Sequence, residues 1–439
     1  MEITLRAPEL APPSSAHPPV SALAADEVRA LHDELLAYHR GFAPLFHRTE
    51  QRHWALKYLE GRLLALERKS IEPMADALEG GNVQAMQQFV SAGAWDDDVV
   101  LTEHQRLVAE SLGDATTGVL ILDGCDFPKQ GAHSVGVARQ RCGPLGKVAN
   151  YQAGVVTCYA SARGYTLVDR RLYIHEDWFT EDYRARRARC GVPPDLTFQT
   201  RTELAWAMIA GLRERAALPF GWVTGDEHFG NTPVLLDRIA QVGLRYFMEV
   251  PHNGRVAQTR PPTAVPAASG RKGHPVTRLR LTAGASAAAR VDALATALPA
   301  EAWQVAQIKE GSKGPLVAEV AFIRAVAVRD ALPGPDVWVV FRRALDASRE
   351  LKPYLCNAPA DTPLETLVWL LGFRWPVEQA LKEAKKELGL DHYEVRGWRH
   401  HTTMTLLALH FLVRLRSRLG AGRPRADGAA PEAQFRAVQ

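Results

Sequence analysis

Two short apolar runs, each stopping at an acid, constrain this chain more than any other feature. GVLILDG spans residues 118–124 and GWVTGD spans 221–226. Both are shorter than an ordinary helix and almost unbroken in apolar character, the pattern of a strand buried on both faces. The texture between and after them alternates. Tyr151 to Ala160 and Gly164 to Ile174 are β-rich, and the turn at Gly164 makes them a hairpin. Thr202 to Ala217 and Thr232 to Val242 carry helical periodicity, and LRYFMEV (244–250) is a further strand.

Three strands, a helix, a strand, a helix and a strand is the order of a ribonuclease H-like α/β core. Residues 116–250 are expected to form its first part. The segment 23–115 repeats apolar residues at three- and four-residue steps, as in Ala55, Tyr58, Leu59, Leu63 and Leu66, and is expected to be an N-terminal helical domain. Arg48, Arg52, Lys57, Arg62, Arg68 and Lys69 punctuate it. They form either a solvated face or a DNA-contacting one. Residues 251–362 start with a Pro/Gly-rich basic stretch containing Arg271, Lys272, Arg278 and Arg280. Strand-like segments follow at 303–308, 317–328, 337–341 and 351–356, so a β-rich insertion is expected. Helices resume over 363–419, which is expected to be the C-terminal part of the core and to carry Glu378. Residues 1–22 read as a flexible arm and 420–439 as a disordered tail.

Three acids stand where chemistry is usually built. Asp123 closes the first core strand, Asp226 closes the fourth, and Glu378 opens a late helix after Pro376. Three converging carboxylates repel one another unless a cation offsets them. Mg²⁺ takes oxygen ligands. Two such ions about 3.5–4 Å apart activate an attacking oxygen and stabilise a leaving one. An Asp after a strand is also a common turn former or helix cap. Asp126 and Glu227 compete with Asp123 and Asp226 for these positions, and spacing alone leaves the choice open.

The motifs around these acids carry a resemblance. ILDGCDFPKQGAHSVGVARQRCGPLGKVANYQAGV (121–155), WVTGDEHFGN (222–231) and FRWPVEQALKEAKKELGLDHYEVRGWRHH (373–401) resemble, in order, the three catalytic blocks of bacterial insertion-sequence transposases of the DDE superfamily. The Arg-x₃-Glu-x₆-Lys spacing of the third block is met by Arg374, Glu378 and Lys385. The likeness runs from about Phe42 to Arg414 and takes in GNVQAMQQF and WDDD near the N-terminus. Two positions depart from the pattern. Leu371 stands where a Tyr is usual, and the second acid of the first block falls at Asp126, two places late.

The resemblance implies a metal-dependent DNA transposase. Asp123, Asp226 and Glu378 would be the catalytic, metal-holding acids, with two Mg²⁺ ions for which Mn²⁺ can substitute. Arg374, Lys385, Lys129, His133, Arg139 and Lys147 would contact DNA. The partners would be double-stranded DNA, as terminal inverted repeats and as target, and a second copy in a homodimeric end complex. The 23–115 bundle would bind DNA as well. A non-transposing nuclease of the same fold and a catalytically silent DNA-binding regulator are the rival readings.

Bulk properties agree without deciding. Net charge is +4, which permits a polyanion partner. The five cysteines (125, 142, 158, 190 and 356) form no C-x-x-C pair, as suits a reducing compartment. No apolar run is long enough to cross a bilayer. A cytoplasmic, nucleoid-associated protein without a membrane partner is expected. Trp303 and Trp338 are expected to pack in the insertion, and His392, His400 and His401 to be structural or DNA-facing.

Overall fold

The computed structural model describes residues 5–6, 25–131, 133–142, 145–266, 277–309, 314–393 and 397–421. The expected tail, most of the expected arm, and Arg271 and Lys272 lie outside these residues. A two-residue strand, β1 (Leu5–Arg6), precedes five helices: α1 (Ala25–Phe42), α2 (Thr49–Leu63), α3 (Ile71–Ala77), α4 (Val83–Ser91) and α5 (Asp97–Leu112). Then come β2 (Val119–Pro128), β3 (Ala138–Cys142), β4 (Lys147–Ser161) and β5 (Gly164–Tyr173). Next are α6 (Arg184–Cys190), α7 (Arg201–Glu214), β6 (Trp222–Gly225), α8 (Glu227–Gly230), α9 (Pro233–Gln241) and β7 (Arg245–Glu249). Short strands β8 (Arg255–Ala257), β9 (Thr263–Ala264), β10 (Arg280–Leu281) and β11 (Ala289–Arg290) lead to α10 (Val291–Ala297). Long strands β12 (Gln304–Lys309), β13 (Leu316–Arg329), β14 (Leu332–Ala344) and β15 (Leu351–Cys356) precede α11 (Leu364–Leu370), α12 (Arg374–Lys386) and α13 (Trp398–Ala421). The fold is mixed α/β. None of the described helices is long and apolar enough to cross a membrane.

The chain divides into two compact units. One comprises Ala11–Phe220 with Trp375–Gln439. Its sheet centres on β4, which is antiparallel to β2 on one side and to β5 and β3, end to end, on the other. Helix α13 forms the middle of this unit. Its residues His401 to His410 are buried without a break. The polar groups among them are matched: Tyr58 Oη meets His401 Nδ1 at 2.8 Å, and Tyr38 Oη donates to the Leu407 carbonyl at 3.1 Å. Ser111 Oγ meets His410 Nε2 at 2.8 Å, and Arg170 donates to Thr403 Oγ1 at 2.7 Å. Arg170 is itself buried against Asp97, which also pairs with Arg399 at 2.9 Å. A buried charge is tolerated only with such partners.

The other unit comprises Gly221–Arg374 with the N-terminal strand. Its strand order is β1-β12-β13-β14-β15-β7-β6, and β8 lies against β13 beyond the end of β12. The β6–β7 pair is parallel and β15–β7 antiparallel. The strands of 303–356 therefore continue from β7 through β15 in one ladder.

Several elements differ from expectation. The first strand does not end at Asp123 but runs on to Pro128, because Cys125 and Phe127 keep the buried alternation going. Strand β3 has the composition ARQRC, with no apolar alternation, and only its pairing to β4 makes it a strand. In the N-terminal helical segment, Arg62 of α2 and Lys69, between α2 and α3, are interior groups. Arg62 donates to the carbonyls of Leu388 (2.7 Å) and Gly389 (3.1 Å) and to Tyr58 Oη (2.8 Å), while Lys69 Nζ donates to the Arg62 carbonyl at 2.6 Å. Neither belongs to a solvated face or a DNA-facing one. The three histidines are structural: His392 Nδ1 accepts from the Lys69 N–H, His400 stacks on Trp95, and His401 is fully buried. Trp303 and Trp338 are half-buried rather than part of the core, each beneath an arginine, Arg343 and Arg324 respectively.

Candidate active site

In the larger unit the site is built on β2. Asp123 pairs with Val156 of β4, is half-buried, and accepts a hydrogen bond from the Gly124 N–H at 2.8 Å. The β2–β4 register is unbroken from Val119 to Pro128. Side chains in such a ladder alternate between faces, so Asp123, Cys125 and Phe127 share one face and Gly124 and Asp126 the other.

Helix α12 lies on the Asp123 side. Lys385 extends its ammonium over the Phe127 ring at 5.6 Å and donates to the Asp126 carbonyl at 3.1 Å. It also lies beside Cys125, whose thiol burial pushes up to about 12 against the pull of the Lys385 charge. The next segment packs on the same face. Tyr393 and Trp398 meet Phe127 edge-on, at 5.5 and 6.3 Å between ring centres. Two residues before Lys385 on the helix, Glu383 is buried, accepting from Tyr165 Oη, Gln379 Nε2 (2.9 Å) and Arg416 (2.6 Å). Glu378 is exposed on α12, just over one turn in from Arg374.

The helix does not begin at Pro376 as expected. Leu370 and Leu371 already have helical backbone angles, a 3-10 turn spans Leu371–Phe373, and α12 is counted from Arg374. Glu378 is thus not in the first turn after a capped N-terminus, and the helix dipole lends its ionised form no special support.

Lys129 lies on the β2 exit. Its ammonium sits 3.4 Å above the Tyr393 ring and donates to the Tyr393 carbonyl at 3.1 Å. His133, Arg139 and Lys147 are exposed, the last two on the β3–β4 hairpin. Phe127 and Tyr393, the rings that seat the two lysines, belong to none of the expected site residues. A signal for Phe127 does exist in the sequence: Asp123, Cys125 and Phe127 keep a period of two.

In the smaller unit, Asp226 directly follows β6 and caps α8. Its Oδ1 accepts from the His228 N–H (3.0 Å) and the Phe229 N–H (3.4 Å), which fixes the carboxylate's direction. The turn is held tightly against β7: a Cβ on Gly230 would lie 1.9 Å from the Glu249 carbonyl oxygen. Glu227, its rival, is exposed in the first turn of α8. Arg374 lies near Tyr354 of β15, on whose phenol its charge acts.

The family model for DDE superfamily endonucleases matches residues 41–315, well over half of the chain. The chain belongs to the DDE endonuclease superfamily. The matched span of this DDE endonuclease includes Asp123 and Asp226 and ends before Glu378. No curated protein matches it. Among solved structures, the NurA nuclease from Sulfolobus solfataricus is similar at 10% identity. That similarity covers 65% of this chain and 86% of that one with a TM-score of 0.27, too low to bear on the fold. Membership makes the protein a nuclease, with DNA the substrate that the superfamily implies. DDE nucleases generally use divalent metal ions. Among the described residues no three His, Cys, Asp or Glu side chains cluster as a ready-made metal site. The donor chemistry of Asp123, Asp226 and Glu378 fits a hard cation: all three are carboxylates with some solvent access.

Proposed function

We infer that this DDE endonuclease is a DNA transposase, cutting at the ends of a mobile element and joining the freed 3′ ends to target DNA. The observation that carries the reading is the packing of α12 on the Asp123 face of β2, which sets the helix of Glu378 against the strand of the first acid. The β2–β4–β5 meander followed by α7, β6, α9 and β7 also follows the element order of a ribonuclease H-like core, with residues 251–362 as its β-rich insertion.

In this reading Asp123, Asp226 and Glu378 would hold two Mg²⁺ ions. Bound there, the ions would activate the attacking oxygen and stabilise the leaving one. The chain's own groups do the rest. Asp226 is oriented by the α8 N–H groups. Lys385 steadies the strand that carries Asp123, and Arg374, Lys129, His133, Arg139 and Lys147 would contact the phosphates, Lys129 by leaving the Tyr393 ring. Oxygen donors beyond these three acids would have to come from the DNA or from water, so free enzyme should hold metal weakly. The working form is a homodimer on paired terminal inverted repeats.

The test uses duplexes made from the DNA on either side of the gene, where the proposal expects inverted repeats, either uncut or precut to expose the 3′ hydroxyl. Wild-type enzyme in Mg²⁺ should cut the first and join the second to a target plasmid. D226N should do neither while binding the duplex almost as tightly, because most affinity comes from phosphate contacts elsewhere. Cutting without joining would leave a non-transposing nuclease, and binding without either would leave a silent regulator.

A further inference from the structure

The hairpin β3–β4 has an exposed end that the nuclease chemistry leaves unexplained. Strand β2 pairs with β4 only from Tyr151 onwards, whereas β3 pairs with β4 from Cys142↔Lys147 to Ala138↔Tyr151. Residues 147–149 of β4 therefore belong to a ribbon of two strands that extends past the sheet.

The base of this ribbon is fixed. Asn150 Nδ2 donates to the carbonyls of Gly131 (2.8 Å) and Lys129 (3.2 Å), and Gln152 Nε2 donates to the Val135 carbonyl at 2.7 Å. Trp178, fully buried, donates its indole N–H to the Val137 carbonyl at 2.8 Å. The far end has the opposite character. Gly146 takes the left-handed conformation (φ +61°), Leu145 is 45% exposed and Val148 is 56% exposed. Two aliphatic side chains kept in water at the end of a fixed ribbon offer an apolar contact to whatever meets it.

Charge identifies the occupant. From 129 to 150 the sequence has four lysines or arginines and no aspartate or glutamate. Arg139 and Lys147 are exposed on the ribbon itself. Arg139 pairs with Asn150, so it shares a face with Val148, two residues along β4. Cations behind an apolar tip fit a polyanion whose interior offers apolar contacts. The major groove of duplex DNA, about 12 Å wide, admits a two-stranded ribbon and exposes thymine methyls on its floor.

We propose that the β3–β4 ribbon is a groove probe: it enters the major groove of duplex DNA with Leu145 and Val148 leading against base edges, while Arg139 and Lys147 hold the flanking phosphates. This rests on DNA being the substrate, and it adds recognition of the bases themselves.

Fluorescence anisotropy with a labelled A·T-rich duplex, without added metal so that nothing is cut, separates the two kinds of interaction. R139A/K147A should weaken binding and flatten the plot of log affinity against log salt by roughly 0.9 for each phosphate no longer neutralised. L145S/V148S should weaken binding roughly tenfold with the salt slope unchanged. The same duplex with uracil in place of thymine should bind wild type less tightly and L145S/V148S no differently. Wild-type affinity in both variants would overturn the proposal. So would a shift of L145S/V148S from dimer to monomer in sedimentation with DNA affinity intact, because the tip would then meet a second copy. Plasmid cutting in Mg²⁺ separates the ribbon from the chemistry. If wild type cuts and the variants bind normally, the ribbon proposal fails and the nuclease stands. If wild type cuts without joining and L145S/V148S binds weakly, the transposase reading fails and the ribbon stands.

Discussion

At the scale of single residues, the sharpest question is which acid of Asp123-Gly-Cys-Asp126 belongs to the site. Both acids stand out in the sequence, but a strand expected to end at residue 124 leaves Asp126 in a loop with no defined direction. An unbroken register to Pro128 decides their faces. Asp123 shares its face with Cys125 and Phe127, where Lys385 lies, and Asp126 points the other way and contributes its backbone carbonyl to Lys385. Removing one electrostatic partner of a transition state already costs roughly 10²–10³-fold in rate. D123N should therefore lower cleavage by roughly 10³-fold or more, and D126N should retain activity within about tenfold. A gel assay of plasmid nicking compares them, and equal losses would sink the assignment of Asp123 alone. Arg62 shows the converse limit of reading residues by type. Its sequence neighbours suggest one more basic surface position, yet it holds together two carbonyls and a tyrosine in the interior. Nothing in a list of charges distinguishes a buried arginine from an exposed one until the segment that meets it, here residues 388–389, is known.

At the scale of elements, long segments with strong periodicity are legible: the hairpin of β4 and β5, helices α7 and α9, and the strand at 351–356 lie where expected. Elements made by their partners are not. Strand β3 has no pattern of its own. Proline favours a first turn, which points to a helix start at Pro376, but the chain is already helical before it. Lys385 accordingly does not extend from a fresh N-terminus towards solvent. It is half-buried and held on β2, whereas Lys386, one residue on and about 100° round the helix, is exposed. K385A removes the donor to the Asp126 carbonyl and loosens the strand beneath Asp123. It should lower cleavage by an amount equivalent to about 2–3 kcal/mol, with a lower Tm as well. K386A should leave both within error. Cleavage rates and melting curves of the pair give the answer, and indistinguishable values would refute the assignment of the inner face to Lys385.

At the scale of the whole molecule, the α/β class can be read from the strand runs, because buried strands leave a compositional mark. The chain path cannot: nothing local signals that Ala11–Phe220 and Trp375–Gln439 share one compact unit. The histidines of that unit set its response to acid. Burial pushes His104 down to about 4, and it holds His401 and His410 well below the ordinary imidazole range. In the unfolded chain these groups titrate near 6.5. Between about 6.5 and 4 the unfolded state therefore binds protons that the folded state refuses, and stability falls as pH falls through that window. Scanning fluorimetry should show Tm dropping steadily from pH 7 to pH 5. A Tm that stays level would mean that these imidazoles are accommodated in charged form.

Helix α13 has a consequence in time. It is made after every strand of both sheets, yet it supplies the buried centre of the unit that starts at α1. Until it emerges, Tyr38, Tyr58 and Ser111 lack the partners they have in the finished fold, and Arg170 lacks Thr403. Unpartnered groups of this kind oppose closure of a core. The strand bearing Asp123 is thus translated roughly 280 residues before the helix that consolidates its surroundings, at about 5–20 residues per second. The interval delays the appearance of a folded nuclease until α13 has been made, so a chain interrupted before it carries the first acid without a folded scaffold around it.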